Sequence, residues 1–132
     1  MNALESAIQK TMSSNGNTKD ANKAYLEFIK ANFIVPIEIT SSIENPQVLY
    51  LEDNDHVFLP VFTSMVYFKH WAEDIKDSIQ LLKLSGVDLL KGIGDHVLVS
   101  LNIGCPSYKE FNPQELARMK SMVLKFFTPP NQ

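Results

Sequence analysis

The sequence predicts a single α/β (α+β) domain, a mixed five-stranded sheet with flanking helices in the order α-α-β-β-β-α-β-α-β-α. Three observations carry this. The stretch His56 to Trp71, H-V-F-L-P-V-F-T-S-M-V-Y-F-K-H-W, passes from an apolar run into an aromatic helix through a Thr63-Ser64 corner. His96 to Ile103 alternates as a strand does, with Val97, Val99, Leu101 and Ile103 on one side and Leu98, Ser100 and Asn102 on the other. Asn112-Pro113 opens a helix with an N-cap residue, a proline suited to the first helical position, and Glu115 three residues after the cap. With 132 residues, 45% of them hydrophobic, the chain is expected to form one domain over 1–132, its core over about residues 20–127.

Leu4, Ile8 and Met12 recur at helical spacing and predict a short first helix, stopped by the cluster Ser13 to Asn17. Asp20 is suited to cap a second helix, in which Ala21, Tyr25, Phe28 and Ile29 form an apolar stripe with Ala24 at a close approach. Phe33 to Ile39 is rich in β-branched residues and reads as a strand interrupted by Pro36. Ser41 to Pro46 reads as a turn, and a second strand over Val48, Tyr50 and Glu52 leads through Asp53-Asn54-Asp55 into the next as an antiparallel hairpin.

That next strand, Val57 to Phe62, is apolar at nearly every position, as in a strand covered on both faces. Pro60 lacks the N–H that a central ladder uses, so it belongs where the donor side has no neighbour. Beyond the corner, Met65, Phe68 and Ala72 share one helical face, with Tyr67 and Trp71 beside them. Ser78 to Leu84 reads as a strand in preference to a continuous helix, because Ser85-Gly86 breaks the segment and Val87 to Leu90 starts a short helix ending at Gly92 or Gly94. Leu116, Met119, Val123 and Phe127 form the buried stripe of the last helix, widened by Met122 and Phe126, with Pro129-Pro130 as its stop.

The composition excludes several classes of function. A net charge of −3, with twelve Lys and Arg residues scattered along the chain, does not suit nucleic acid. No apolar run approaches the ~20 residues that span a bilayer, and the first ten residues lack the pattern of a signal peptide. No membrane association is expected. A cytoplasmic protein is, and signal-independent export is compatible with the sequence. The single Cys105 forms no internal disulfide and has no cysteine partner for zinc. No metal, cofactor or catalytic residue is expected.

Four stretches carry a resemblance to a known family: A-Y-L-E-F-I-K-A-N-F-I-V-P-I, L-P-V-F-T-S at Leu59 to Ser64, L-V-S-L-N-I-G at Leu98 to Gly104, and F-N-P-Q-E-L-A-R-M at Phe111 to Met119. Their order resembles that of the SseB N-terminal-domain family over roughly Asn22 to Lys125. The resemblance implies a compact α/β domain associated by name with serine sensitivity and in part with type III secretion, with no settled catalytic activity. Two departures stand out. The family's late strand runs into an Asn-Pro-Gly-like loop where this chain has Asn102-Ile103-Gly104-Cys105-Pro106, and some members continue into a second domain whereas this sequence ends at Gln132.

Two right-handed crossovers would make the strands ending at Phe62, Leu84 and Ile103 parallel, with their carboxyl ends on one edge. That edge would gather Thr63 and Ser64, Ser85 and Gly86, and Asn102, Gly104, Cys105 and Ser107. Hydroxyls and free N–H groups at a helix start suit a carboxylate or phosphate. Capping needs the same residue types, however, so the structural role outweighs the site. Cys105 as a nucleophile would need a histidine; no local signature assigns His56, His70 or His96 to it, and His56 and His96 precede their strands and so lie at the opposite ends. The expectation is therefore a non-enzymatic adaptor or regulatory domain that binds a protein partner, with a small-ligand (amino acid or phosphate) sensor or enzyme at Thr63, Ser64, Asn102 and Cys105 as the alternative.

The expected interaction surface is the Val123, Phe126, Phe127 end of the last helix. Adjacent helical residues diverge by about 100°, so one packed surface does not readily bury both rings; a homodimer through this end is one expectation, and the amino-terminal helix folding back through Leu4, Ile8 and Met12 to cover it within one chain is the alternative. Light scattering checks the dimer: mass should rise with concentration and fall back in Phe126→Glu, and a chain that stays monomeric when concentrated excludes the dimer.

Overall fold

The computed structural model describes residues 2–14, 18–40, 42, 44, 47–105 and 108–126. The elements are α1 (Ala3–Ser13), α2 (Thr18–Lys30), β1 (Asn32–Glu38), β2 (Leu51–Asp53), β3 (His56–Val61), α3 (Met65–Ala72), β4 (Ile79–Ser85), α4 (Gly86–Gly92), β5 (Val97–Leu101), β6 (Lys109–Phe111) and α5 (Pro113–Phe126). The class is the expected mixed α/β. Among the described residues there are six strands where five were expected, because β6 is three residues long and too short to show an alternating pattern. The expected strand over Ser78 to Leu84 is present as β4, shifted by one residue to Ile79–Ser85, while Ser78 closes a single 3-10 turn over Lys76–Ser78; the rival continuous helix does not form.

The sheet is split in two. β2, β3, β5 and β6 lie side by side in that order, with β3 and β5 parallel and the outer pairs antiparallel, while β1 pairs antiparallel with β4 alone. One bridge joins the halves: Ile34 and Phe62 exchange both backbone hydrogen bonds, at 2.8 and 2.9 Å. The reason for the split lies in two prolines. Continuing that antiparallel register by two residues would set Pro36 opposite Pro60, and the pair would again need both N–H groups to bond. Neither residue has one. The strands fork there, and the chain between them fills the wedge: Leu49 N–H donates to Pro36 O at 2.9 Å and Glu38 N–H to Gln47 O at 2.9 Å, before β2 takes up its ladder on Phe58. Each proline thus sits with its nitrogen turned to the fork, where no ladder asks for a donor.

Two expectations about this region are corrected. The second strand covers Leu51–Asp53, and Val48 makes only an isolated bridge to Ile37, because the fork divides this segment between two neighbours. The hairpin itself is antiparallel as expected, turning on Asn54 and Asp55 with φ of 51° and 65°, the pair of positive values that a tight two-residue turn requires. The second correction concerns β4. It pairs with β1, not with β3 or β5, so β1 separates it from β3 and only β3 and β5 form a parallel pair.

Strand alternation sorts the helices onto two faces. Val35, Leu59, Val61, Val99 and Leu101 point to one side and meet α1, α2, α4 and α5 in the main core around Phe28, Phe33, Phe111 and Met119. Ile34, Phe62 and Ile79 point to the other, where α3 lays Phe68 and Ala72 over them with Trp71 alongside. The Phe62 ring meets those of Phe68 and Trp71 at 5.6 and 5.3 Å between centroids. Helix α1 buries Leu4 and Ile8, but Met12 is 64% exposed, since the helix's last turn runs past the core. Helix α2 starts at Thr18, so Asp20 lies inside its first turn and is not the cap; its carbonyl accepts from Thr11 Oγ1 at 2.9 Å and ties α1 to α2.

The close approach of α4 to α2 requires glycine. A Cβ on Gly86 would lie 2.1 Å from Phe28 O and 2.7 Å from Ile29 O, whereas one on Gly92 meets nothing within 4 Å. Gly86→Ala should therefore lower stability by about 1–3 kcal/mol, toward the upper end because the obstacle is backbone. Gly92→Ala should be neutral or stabilising by up to about 1 kcal/mol. Urea denaturation of the two variants reads both.

Candidate functional site

Thr63 and Asn102 do come together, at the carboxyl ends of the parallel strands β3 and β5. Asn102 ends β5 by turning to φ 54°, a left-handed conformation that asparagine tolerates better than most residues, while its N–H still donates to Val61 O at 2.8 Å. That turn folds the side chain back on the corner. Its Oδ1 accepts from Thr63 N–H at 3.0 Å and its Nδ2 donates to Thr63 Oγ1 at 3.0 Å. Asn102 is 0% exposed.

The third member of this cluster comes from α1. Glu5 is 4% exposed; its Oε2 accepts from Asn2 N–H at 2.9 Å and its own N–H donates to Asn2 Oδ1 at 2.8 Å, the reciprocal box that caps α1. Its Oε1 lies 3.5 Å from Thr63 Oγ1, so the single hydroxyl proton of Thr63 is shared between Glu5 and Asn102 Oδ1, the latter at 3.4 Å. Glu5 went unread in the sequence, although Asn2 and Glu5 have the same cap-to-third-position spacing as Asn112 and Glu115.

Ser64 is the N-cap of α3, with Oγ accepting from Tyr67 N–H at 3.3 Å. Gly104 takes φ 80° in the turn after Asn102, and Cys105 N–H closes that turn on Asn102 O at 3.0 Å. Burial pushes the Cys105 thiol above its ordinary range, and the charge of Glu5 adds to the shift. The shift disfavours the thiolate, the form in which a cysteine attacks. Ser107 lies outside the described residues.

The wider convergence of three turns does not form. Ser85 faces Asn32 across the β1–β4 ladder and caps α4 through Asp88 N–H at 3.1 Å. Gly86 N–H donates to Ala31 O at 2.8 Å. Both are engaged at the start of β1, with β1 standing between them and the Thr63 corner. His56 and His96 lie at the amino ends of β3 and β5, away from Cys105. Among the described residues no three His, Cys, Asp or Glu side chains come together in a way that could hold a metal ion.

Two apolar features among the described residues bear on the expected interaction surface and its rivals. An open groove of about 610 Å³ runs between α3 and β4, floored by Met65, Phe68, Ile79 and Leu81. At the end of α5, Val123 is 3% exposed and part of the main core, as its place in the buried stripe requires, while Leu124 is 69% exposed. Val123 thus contributes packing there and not surface. The Phe126 side chain and Phe127 lie outside the described residues.

These features define a small mixed α/β domain whose sheet edge is closed by a buried polar cluster. The model of the SseB protein N-terminal domain matches residues 4–118, and the chain belongs to that family. No curated protein and no solved structure matches it. No helix among the described residues is long and apolar enough to cross a membrane.

The cluster leads to a stability prediction. Asn102→Ala removes two well-formed hydrogen bonds and leaves a β-carbon in the left-handed region, at an expected cost of about 2–4 kcal/mol. Asn102→Gly, which keeps that backbone conformation without strain, should recover about 1 kcal/mol of it. Ser64→Ala should cost about 1 kcal/mol through the lost cap. An Asn102→Ala variant with an unchanged urea midpoint would show that the cluster does not hold the strand ends.

Proposed function

We propose that this chain is a non-enzymatic adaptor or regulatory domain that acts by binding a protein, in the secretion-related setting that the family resemblance implies. The observation that carries the reading is the state of the edge where open α/β sheets usually hold ligands. Here the polar atoms of Thr63 and Asn102 serve one another, Asn102 is buried, and Ser64 caps its own helix. A small carboxylate or phosphate would have to displace those internal bonds to enter. Burial, and secondarily the charge of Glu5, raises the Cys105 thiol pKa, which works against a role as nucleophile. What the surface does offer is apolar: the α3–β4 groove and Leu124, features that suit contact with another protein.

Two measurements test the reading together. Serine, other amino acids and inorganic phosphate at millimolar concentration should leave the melting temperature unchanged, whereas a ligand at a hundred times its Kd would add about 2.7 kcal/mol to the stability and raise the melt by several degrees. A pull-down from the native organism should retain a protein. A ligand-induced rise that disappears in Asn102→Ala would replace this reading with the small-ligand sensor.

A further inference from the structure

β4 is the one long strand edge left uncovered among the described residues. β2 and β6, the outer strands of the other sheet, are three residues each, the short edges by which proteins avoid unwanted pairing. β4 has seven residues, no proline, and an unbroken register on β1 with no bulge. Backbone groups alternate sides along a strand. Ile34 gives its N–H and C=O to Phe62, and the Pro36 carbonyl accepts from Leu49; their partners across the ladder are Lys83 and Leu81. Leu81 and Lys83 therefore turn their own N–H and C=O groups away from β1, to the free side.

The groove lies beside that edge. Ile79, Leu81 and Lys83 project to the face carrying α3, and Ile79 and Leu81 join Met65 and Phe68 in its apolar floor. Its rim is cationic, in a chain whose net charge is −3: Lys69 and Lys76 line it with Glu73 as the one acidic group, and Lys83 follows Leu81 on the strand. None of these three lysines makes an ion pair among the described residues. Asp74 and Asp77, on the turn between α3 and β4, are not part of the lining.

We infer that the outer edge of β4 and the α3–β4 groove take up an extended segment of a partner protein as an added strand, one whose groove-facing side chains, every second residue, alternate between apolar and Asp or Glu. Main-chain bonds to Leu81 and Lys83 supply the pairing, and on the face carrying α3 the groove floor accepts the apolar side chains while Lys69, Lys76 and Lys83 select the acidic ones. A second copy of this chain fits less well, because antiparallel pairing of two β4 edges sets one cationic rim against another. The inference rests on the protein-binding reading above and assigns its surface.

A fluorescein-labelled nine-residue peptide with threonine at the odd positions and valine and glutamate alternating at the even ones is the probe, followed by anisotropy, with its valine–lysine counterpart and a form N-methylated at alternate backbone nitrogens as comparisons. Only the valine–glutamate peptide should bind, weakening at least tenfold when methylated, in Lys83→Pro, and in Lys83→Glu. Lys83→Pro removes an outward N–H and leaves the β1 ladder alone, and Lys83→Glu leaves the backbone intact if the proline variant proves unstable. Hydrogen exchange should show the Leu81 and Lys83 amides fast in the free protein and slowed by the probe, with the inward Leu82 amide slow in both. No binding, equal binding of the lysine or methylated peptide, or unchanged exchange at Leu81 and Lys83 overturns the inference. So does a concentration-dependent dimer abolished by Lys83→Pro, which makes a second copy the occupant. A native partner captured equally by wild type and Lys83→Pro overturns the edge assignment while leaving the protein-binding reading standing, and that reading fails separately on the ligand-shift result.

Discussion

Pro36 and Pro60 would be direct partners in the ladder that Ile34 and Phe62 begin, and because neither carries an N–H the ladder stops after one bridge. Much of the architecture follows from that. Held to β3 only at Ile34, β1 diverges, and residues 47–49 and β2 fill the opening. The far side of β1 is then taken by β4, which interposes β1 between itself and the parallel pair. The same bridge fixes Phe62 beneath α3, as the ring on which Phe68 and Trp71 pack, and leaves Thr63 as the next residue along, at the mouth of the parallel strands.

At that mouth a single asparagine decides what the edge can do. By entering the left-handed region, Asn102 stops β5 and returns its amide to Thr63, and Glu5 reaches the same hydroxyl from α1. Buried polar groups demand partners, and among the described residues no buried side-chain nitrogen or oxygen lacks one. The satisfied cluster therefore works as a clasp between the first helix and the ends of two central strands. Open α/β sheets commonly bind ligands in a crevice at this point; here the polar atoms of Thr63 and Asn102 are engaged with one another.

The two sheet halves also treat their edges differently. Three-residue strands close off one half on both sides, while on the other β4 has a free margin next to apolar floor and unpaired lysines. Lysine at an edge discourages pairing between like copies. On the strand-addition proposal the same margin is left to a strand of opposite charge, which would divide the domain into a rigid centre and a recognition rim.

Local patterns were enough for most of the core and for the element order apart from β6, whose three residues are too few to show a period. The helical stripe of Ala24, Phe28 and Ile29, the alternation of Val97, Val99 and Leu101, and the Asn112-Pro113-Glu115 start are each short-range signals, written by side chains close together in the chain, and the structure buries or caps them accordingly. The Thr63–Asn102 encounter was legible too, because it follows from two strands running parallel. Its third member, Glu5, was not recognised: the capping box shows in the spacing Asn2 to Glu5, but contact with a residue 58 positions away depends on where α1 packs. Nor did each proline, taken alone, show where the sheet divides. Pro36 and Pro60 become one constraint only when Ile34 is paired with Phe62 and sets them opposite one another, and strand pairing is a relation between distant segments that no periodicity within either can specify.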